Sequence, residues 1–188
     1  MKKESLMFAV SGLIIGFLIG FMVGGKTMSG GSVQQAAAPQ GVTSAAGMGS
    51  LQSRIAELEK IVASDPKNVQ AWVTLGNDYF DSQNPKKAIE AYSKALALNP
   101  DDPNVLTDQG VMFRAMGFYD KALANFEKAY KIKPDHLQSL FNMGIIYSQD
   151  LKQPVKAKAL FEAVAQKGGN SDIGDQAREI LKQIPAEK

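Results

Sequence analysis

Apolar side chains recur at spacings of three and four from Leu51 almost to the end of the chain. Such spacing puts them on one face of a helix, so the pattern predicts consecutive amphipathic helices and no strands. Leu51, Ile55, Leu58, Ile61 and Val62 form the first stripe, with Ser50 in place to cap the helix start. Between Val69 and Pro134 the pattern repeats itself. Trp72, Gly76, Tyr79, Ala88, Tyr92, Ala95 and Pro100 are answered by Leu106, Gly110, Phe113, Ala122, Phe126, Ala129 and Pro134, each 34 residues later. A fixed period of this length marks stacked helix pairs, each unit burying its apolar face against the next.

The small residues of the repeat mark where paired helices cross closely. Gly76 and Ala88, like Gly110 and Ala122, leave room that Trp72, Tyr79 and Tyr92 fill from beside them. Pro100 stops a second helix, and Asn99-Pro100-Asp101-Asp102 turns the chain. Asn84-Pro85 reads as a helix cap followed by proline at the first helical position, and Asp120 as the cap of the next second helix. Farther on, Leu140, Met143, Gly144 and Tyr147 keep the pattern, but Ala157, Phe161 and Val164 arrive one residue late. One residue is inserted between Gln149 and Gln153, which predicts a longer turn before Pro154. Gly168-Gly169-Asn170 ends that unit. Asp172 to Ile184 carries Ile173, Ala177, Ile180, Leu181 and Ile184 on one stripe and polar side chains opposite, as a terminal cap requires.

The N-terminus follows another rule. Leu6 to Gly25 is 20 residues without a charge, enough helix to span the roughly 30 Å of a bilayer core. A cleaved signal peptide is the competing reading, but its apolar region is usually only about 7–15 residues, and the Ala36-Ala37-Ala38 site lies well beyond the run. Lys2 and Lys3 precede the span and Lys26 alone follows it closely, so the positive-inside rule places the N-terminus in the cytoplasm and the repeats outside. In a bacterial host that is the periplasmic face of the inner membrane. Gly12, Gly16, Gly20 and Gly24 fall every four residues on one face, a surface suited to close helix association, with itself or with another membrane protein. Lys26 to Gly49 is rich in Gly, Ala, Ser and Gln and reads as a flexible tether, with a mean reach of about 25–30 Å.

Composition narrows the function classes. From Ser50 onward, 18 basic side chains face 18 acidic ones, so the repeats are formally neutral and the net charge of +2 belongs to the N-terminal segment. Nucleic-acid binding needs clustered positive charge, and this neutral balance argues against it. With no cysteine there is no disulfide framework, thiolate metal site or haem attachment. The single histidine, His136, sits in Lys-Pro-Asp-His before a predicted helix and reads as a capping or exposed residue. No phosphate loop, metal-ligand spacing or activated nucleophile occurs, so the chain reads as a non-enzyme with no cofactor, no catalytic residue and no metal site.

Trp72-x-x-Leu75-Gly76-x-x-Tyr79, followed by Ala88, Tyr92, Ala95 and Pro100, resembles the tetratricopeptide repeat at every signature position. The second unit departs at Gln109, where leucine is usual. The resemblance implies an all-α fold, a right-handed solenoid of about three helix pairs between capping helices, which follows the N-terminal transmembrane helix over residues 1–25 and the linker over 26–49 read from hydropathy and composition. The first cap covers 50–66, the repeats 69–102, 103–136 and 137–170, and the last cap 171–188. It also implies a groove lined by the first helix of each repeat. Carried onto this chain, the groove positions are Gln70, Val73, Asn77, Phe80, Asn104, Thr107, Val111, Arg114, Phe141, Ile145 and Ser148. Such a lining suits a protein or peptide client, with Asn77 and Arg114 bonding its backbone or a carboxylate. Val73 and Asp108 stand where family members that clamp acidic chaperone tails need a basic or amide residue, which argues against that partner. The implied function is a membrane-anchored adaptor. A structural homo-oligomer paired through the glycine face is the alternative. So is a periplasmic subunit similar to those of cytochrome c maturation or secretion-associated chaperones.

Overall fold

A computed structural model describes residues 43–184. The expected membrane span, its glycine face and most of the tether lie outside the described residues. Among the described residues no helix is long and apolar enough to cross a membrane.

The described chain is helical from end to end. The elements are α1 (Thr43–Ser64), α2 (Val69–Asp81), α3 (Pro85–Leu98), α4 (Pro103–Ala115), α5 (Tyr119–Ile132), α6 (Leu137–Ile145), a π-helical turn over Ile146–Asp150, α7 (Pro154–Gly168) and α8 (Asp172–Gln183). The period of 34 is thus realised as three pairs: α2 with α3, α4 with α5, and α6 with α7. Helix α1 begins seven residues before the expected cap at Ser50, so the end of the expected tether is helical and Ser50 lies inside the helix. Nothing in Thr43–Gly49 breaks a helix except single glycines, whose cost is about 1 kcal/mol each.

Local chemistry sets the boundaries. The side chains of Asn68, Asn84 and Asp102 accept from backbone N–H groups at the starts of α2, α3 and α4, and Pro85 and Pro103 occupy first positions that need no donor. The start of α5 corrects the expectation for Asp120. Phe118 holds the cap position without a side-chain bond, and Asp120 lies in the first turn, where its charge still faces the positive helix end. Ser171 caps α8, and α7 ends on Gly169 with φ +52°, a conformation that favours glycine.

Helices within a pair are held by a ring seated on a glycine. A Cβ built at Gly76 would stand 2.5 Å from the Tyr92 ring, one at Gly110 2.5 Å from Phe126, and one at Gly144 2.8 Å from Phe161. All three rings are fully buried. Ala88, Ala122 and Ala157 are buried just as completely on the partner helices. Two apolar clusters result, one around Leu75, Tyr79 and Tyr92, the other around Phe126, Ile146 and Phe161, with Val111 packing against both.

Along the array, α2 touches α4 and α4 touches α6, whereas no comparable contact joins α3 to α5 or α5 to α7. First helices therefore lie on the inside of the bend. The one-residue insertion is absorbed by the π-helical turn: the Leu151 N–H reaches back five residues to the Ile146 carbonyl at 2.9 Å. An extra residue taken up inside a helix keeps Phe161 in register over Gly144. Gln109, the departure from the repeat pattern, is buried and polar. Its amide donates to the Ile89 carbonyl at 3.2 Å and to Ser93 at 2.8 Å, and its oxygen accepts from Asn125 at 2.8 Å. It joins α3, α4 and α5 where leucine would only fill space.

Gly110→Ala forces a methyl into the Phe126 ring and should cost about 1–3 kcal/mol in denaturant unfolding, as overpacking does. A double-mutant cycle with Phe126→Leu should show strong coupling, because the collision disappears with the ring. An unfolding midpoint unchanged by Gly110→Ala would refute the close crossing.

Candidate functional site

Helices α2, α4 and α6 carry the sequence-expected groove residues except Ser148, which lies on the π-helical turn, and the structure uses them in different ways. Gln70, Asn77 and Asn104 are exposed, and Val73, Phe80, Val111, Arg114, Phe141, Ile145 and Ser148 are half-buried. Thr107 is only 3% exposed. Its hydroxyl lies 2.9 Å from that of buried Ser139 and bonds the Pro103 carbonyl, so it joins α4 to α6 rather than offering an open contact. His136 continues this seam, with ring nitrogens 2.7 Å from Ser139 Oγ and 3.1 Å from Asn104 Oδ1. Burial, helped by Lys133, holds the His136 pKa below its ordinary value, which keeps the ring neutral at neutral pH. The histidine expected to cap or sit exposed thus stands at the head of α6 and ties neighbouring repeats together.

Arg114 and Phe141 are also engaged. The Arg114 guanidinium pairs with Asp150 and donates to Gln149 at 3.0 Å, both on the π-helical turn. The inserted residue thereby supplies a partner for the one cation of the inner helices. Phe141 meets Phe161 edge to face, centroids 5.4 Å apart. These two residues brace the third repeat, and Ser148 lines a separate hollow of about 530 Å³ against Ile180 and Ile184 of the last helix and its end.

The open chemistry lies at the other end. Asn77, Phe80, Asp81, Tyr92 and Asp108 line a cavity of about 290 Å³ between α2 and α4. The Tyr92 hydroxyl donates to Asn77 Oδ1 at 2.8 Å, which leaves the Asn77 amide N–H groups as donors. Burial, with the Asp108 and Asp81 carboxylates adding to it, raises the Tyr92 pKa well above its usual range, so the hydroxyl stays protonated. Asp108 has no hydrogen-bond or ion-pair partner among the described residues. Burial in this setting, reinforced by Asp102, pushes its pKa up to about 6. Asp78, by contrast, is taken: Arg54 of α1 donates to both of its oxygens, one at 2.7 Å.

Asp81 and Tyr92 are not among the sequence-expected groove positions, and Asp108 enters the sequence reading only as a residue unsuited to an acidic tail. Asp81 and Asp108 each directly follow one of those positions, Phe80 and Thr107. The available signal was the charge of whole helices. The inner helices α2, α4 and α6 contain three aspartates, one arginine and no lysine, whereas α3, α5 and α7 carry nine lysines against four carboxylates.

A second hollow, about 430 Å³, lies between α1, α2 and α3 and is walled by Trp72, Leu75, Tyr79 and Val62. Its rim is tied shut at one point, where the Tyr79 hydroxyl donates to Glu59 and Lys87 reaches the same carboxylate at 3.3 Å. The Tyr79 bond, aided by Lys87, holds the Glu59 carboxyl below its usual pKa. No group of His, Cys, Asp and Glu side chains among the described residues is arranged to hold a metal ion.

Tetratricopeptide repeat models match residues 69–102, 104–136 and 138–171. Among curated proteins, the human protein O-mannosyl-transferase TMTC1 is 32% identical over 111 residues, which cover 56% of this chain and only 12% of that protein. The photosystem I assembly protein Ycf3 of Acaryochloris marina is 29% identical over 109 residues, covering 55% of this chain and 66% of that one. Among solved structures, MamA superposes with a TM-score of 0.59 at 18% identity, over 74% of this chain and 89% of its own. The likeness to MamA extends to the fold.

The raised Asp108 pKa has a thermodynamic sign. The folded chain holds that proton more tightly than the unfolded chain, so ionising Asp108 costs stability as pH rises from about 4 through about 6 and costs nothing below. Asp108→Asn should therefore stabilise the fold at pH 7 by on the order of 2 kcal/mol and leave it unchanged near pH 3.5. Urea unfolding of both chains across that range checks it, and an equal or lower stability of the variant at pH 7 would contradict it.

Proposed function

Because the chain belongs to the tetratricopeptide repeat family, we propose that it is a protein-interaction adaptor whose inner groove holds a segment of a partner protein. The observation that carries this reading is the open half of the groove. Phe80 and Asn77 line the cavity between α2 and α4, Asn77 with its amide donors exposed, and Val73 on the same helix keeps part of its apolar surface uncovered. Exposed donors beside apolar side chains at helical spacing suit an extended backbone with anchoring side chains. The likeness to the photosystem I assembly protein of Acaryochloris marina supports an assembly role.

The uncharged run Leu6–Gly25 supports an anchor in a membrane, and the lysines before it support repeats on the far side from the cytoplasm, held by the tether that follows. The adaptor's action is binding rather than catalysis. The glycines at positions 12, 16, 20 and 24 give this span a second use, as a face through which two copies associate.

Arg114 and Phe141 are poor probes of the groove, because removing either loosens the third repeat. Val73 and Asn77 are better. A photo-crosslinking residue at position 73 or 77 of the full chain, in its native host, should give discrete adducts with a partner, and the same residue at exposed Lys94 of α3 should not. Adducts of equal yield from both surfaces, or none from the groove, would contradict the groove reading. In the same cells, the chain should stay with membranes through a carbonate wash. Gly16→Ile with Gly20→Ile should abolish cross-linked dimers; survival of the dimers would rule out the glycine face.

A further inference from the structure

The charges of the repeats are sorted by helix. All nine lysines of the paired helices sit on α3, α5 and α7, and the inner helices carry none. Of the four charges on the inner helices, Asp78 is held by Arg54 and Arg114 by Asp150. That leaves Asp81 and Asp108, both lining the cavity between α2 and α4. Arg54, whose field also reaches Asp81, is already bound to Asp78. The open half of the groove therefore presents two carboxylates without an ion-pair partner, beside the Phe80 ring.

We propose that this part of the groove seats a basic side chain, an arginine or lysine of a partner's extended segment, held between Asp81 and Asp108 and against Phe80. The inference rests on the groove reading above and names the partner's chemistry. A guanidinium would give Asp108 the donor that the fold withholds, and an aromatic face nearby adds cation–π attraction. Asn77, fixed by the Tyr92 hydroxyl, would bond the partner's backbone beside the seat. A neutral or acidic segment would leave the half-buried carboxylate unpaired or repel it, so the arrangement discriminates by charge as well as by shape. A bound cation favours the ionised form of Asp108, so at about pH 6 and below binding is coupled to loss of its proton. The titrating and charged groups facing Asp108 are Asp81, Asp102 and Tyr92, and the field of Arg54 reaches Asp81.

The test is selection of a random decapeptide display library on the full chain, followed by anisotropy titration of the best sequence as a labelled peptide. Selected sequences should share Arg or Lys at one position. Replacing that residue by citrulline or norleucine should weaken binding at least about tenfold, as losing a charge-assisted pair does. Asp81→Asn with Asp108→Asn should weaken it as much, and should flatten its salt dependence. The Asp108 change relieves a buried charge, so the variant folds. Peptides that lose binding with Asn77→Ala but carry no shared basic residue, or bind the double Asn variant unchanged, would overturn the cation seat and leave the groove reading standing. Peptides indifferent to Asn77→Ala, Val73→Ala and the Asp pair, or no selected peptides at all, would overturn both. Dimers of the chain that dissolve in the double Asn variant would place a second copy's lysine in the seat, and would overturn the assignment to a partner segment.

Discussion

Each helix pair depends on one contact, an aromatic ring lying on the bare backbone of a glycine. Tyr92 on Gly76, Phe126 on Gly110 and Phe161 on Gly144 set the distance at which the two helices cross. The ring buries a large apolar surface without pushing the helices apart, and the neighbouring alanines let the partner helix come close. Once that distance is fixed three times at one period, the remaining geometry follows. First helices meet one another, second helices splay, and the chain bends around an inner face. The same ring also reaches the site. Tyr92 fills the core with its carbon atoms and orients Asn77 with its hydroxyl, so one side chain links packing within the pair to the chemistry of the groove.

A curved array exposes two surfaces of different curvature, and here they also differ in charge. Lysines crowd the second helices, where long stems can lie along the outside and heads remain in water. The inner helices keep aspartates instead. Two of the four charged side chains are spent on structure: Asp78 secures α1 to the first repeat through Arg54, and Arg114 secures the π-helical turn through Asp150. What remains free is concentrated in the first half of the groove. The far half is occupied by its own contacts, the Phe141–Phe161 pair and the turn itself. The groove is therefore asymmetric along its length, with its unengaged polar groups near α2 and bracing contacts near α6.

Much of this was legible in the chain. The 34-residue period, the alternation of small and large residues, and the Asn-Pro and Asp-Pro helix starts each have a direct physical cause, and each appears where its residues stand. The insertion in the third unit was visible as a slip of register, but its form was not. A loop and a π-helical turn differ only in whether the extra residue keeps its backbone bonds, and Leu151 N–H to Ile146 decides that in three dimensions. The groove was half legible. Period alone identifies which residues face inward, but not which of them are already bonded to a neighbour. Thr107 and Arg114 look like open groove residues until Ser139 and Asp150 are placed beside them. Asp108 stands at a family clamp position in the sequence, but that its carboxylate shares a cavity with Asp81 and Tyr92 appears only once α4 packs against α2 and α3. The start of α1 was misplaced because a low-complexity segment with single glycines gives no sharp helix stop.

If the groove's first half is a charge-selective seat, the state of Asp108 reports on it directly. An NMR titration of the Asp108 side-chain carboxyl in the full chain, alone and with an arginine-bearing peptide, measures that state without relying on any substitution. The midpoint should lie near 6 in the free chain and should fall clearly when the peptide is present, as the guanidinium stabilises the anion. A midpoint at the ordinary carboxylate value of about 4, unmoved by the peptide, would contradict the account.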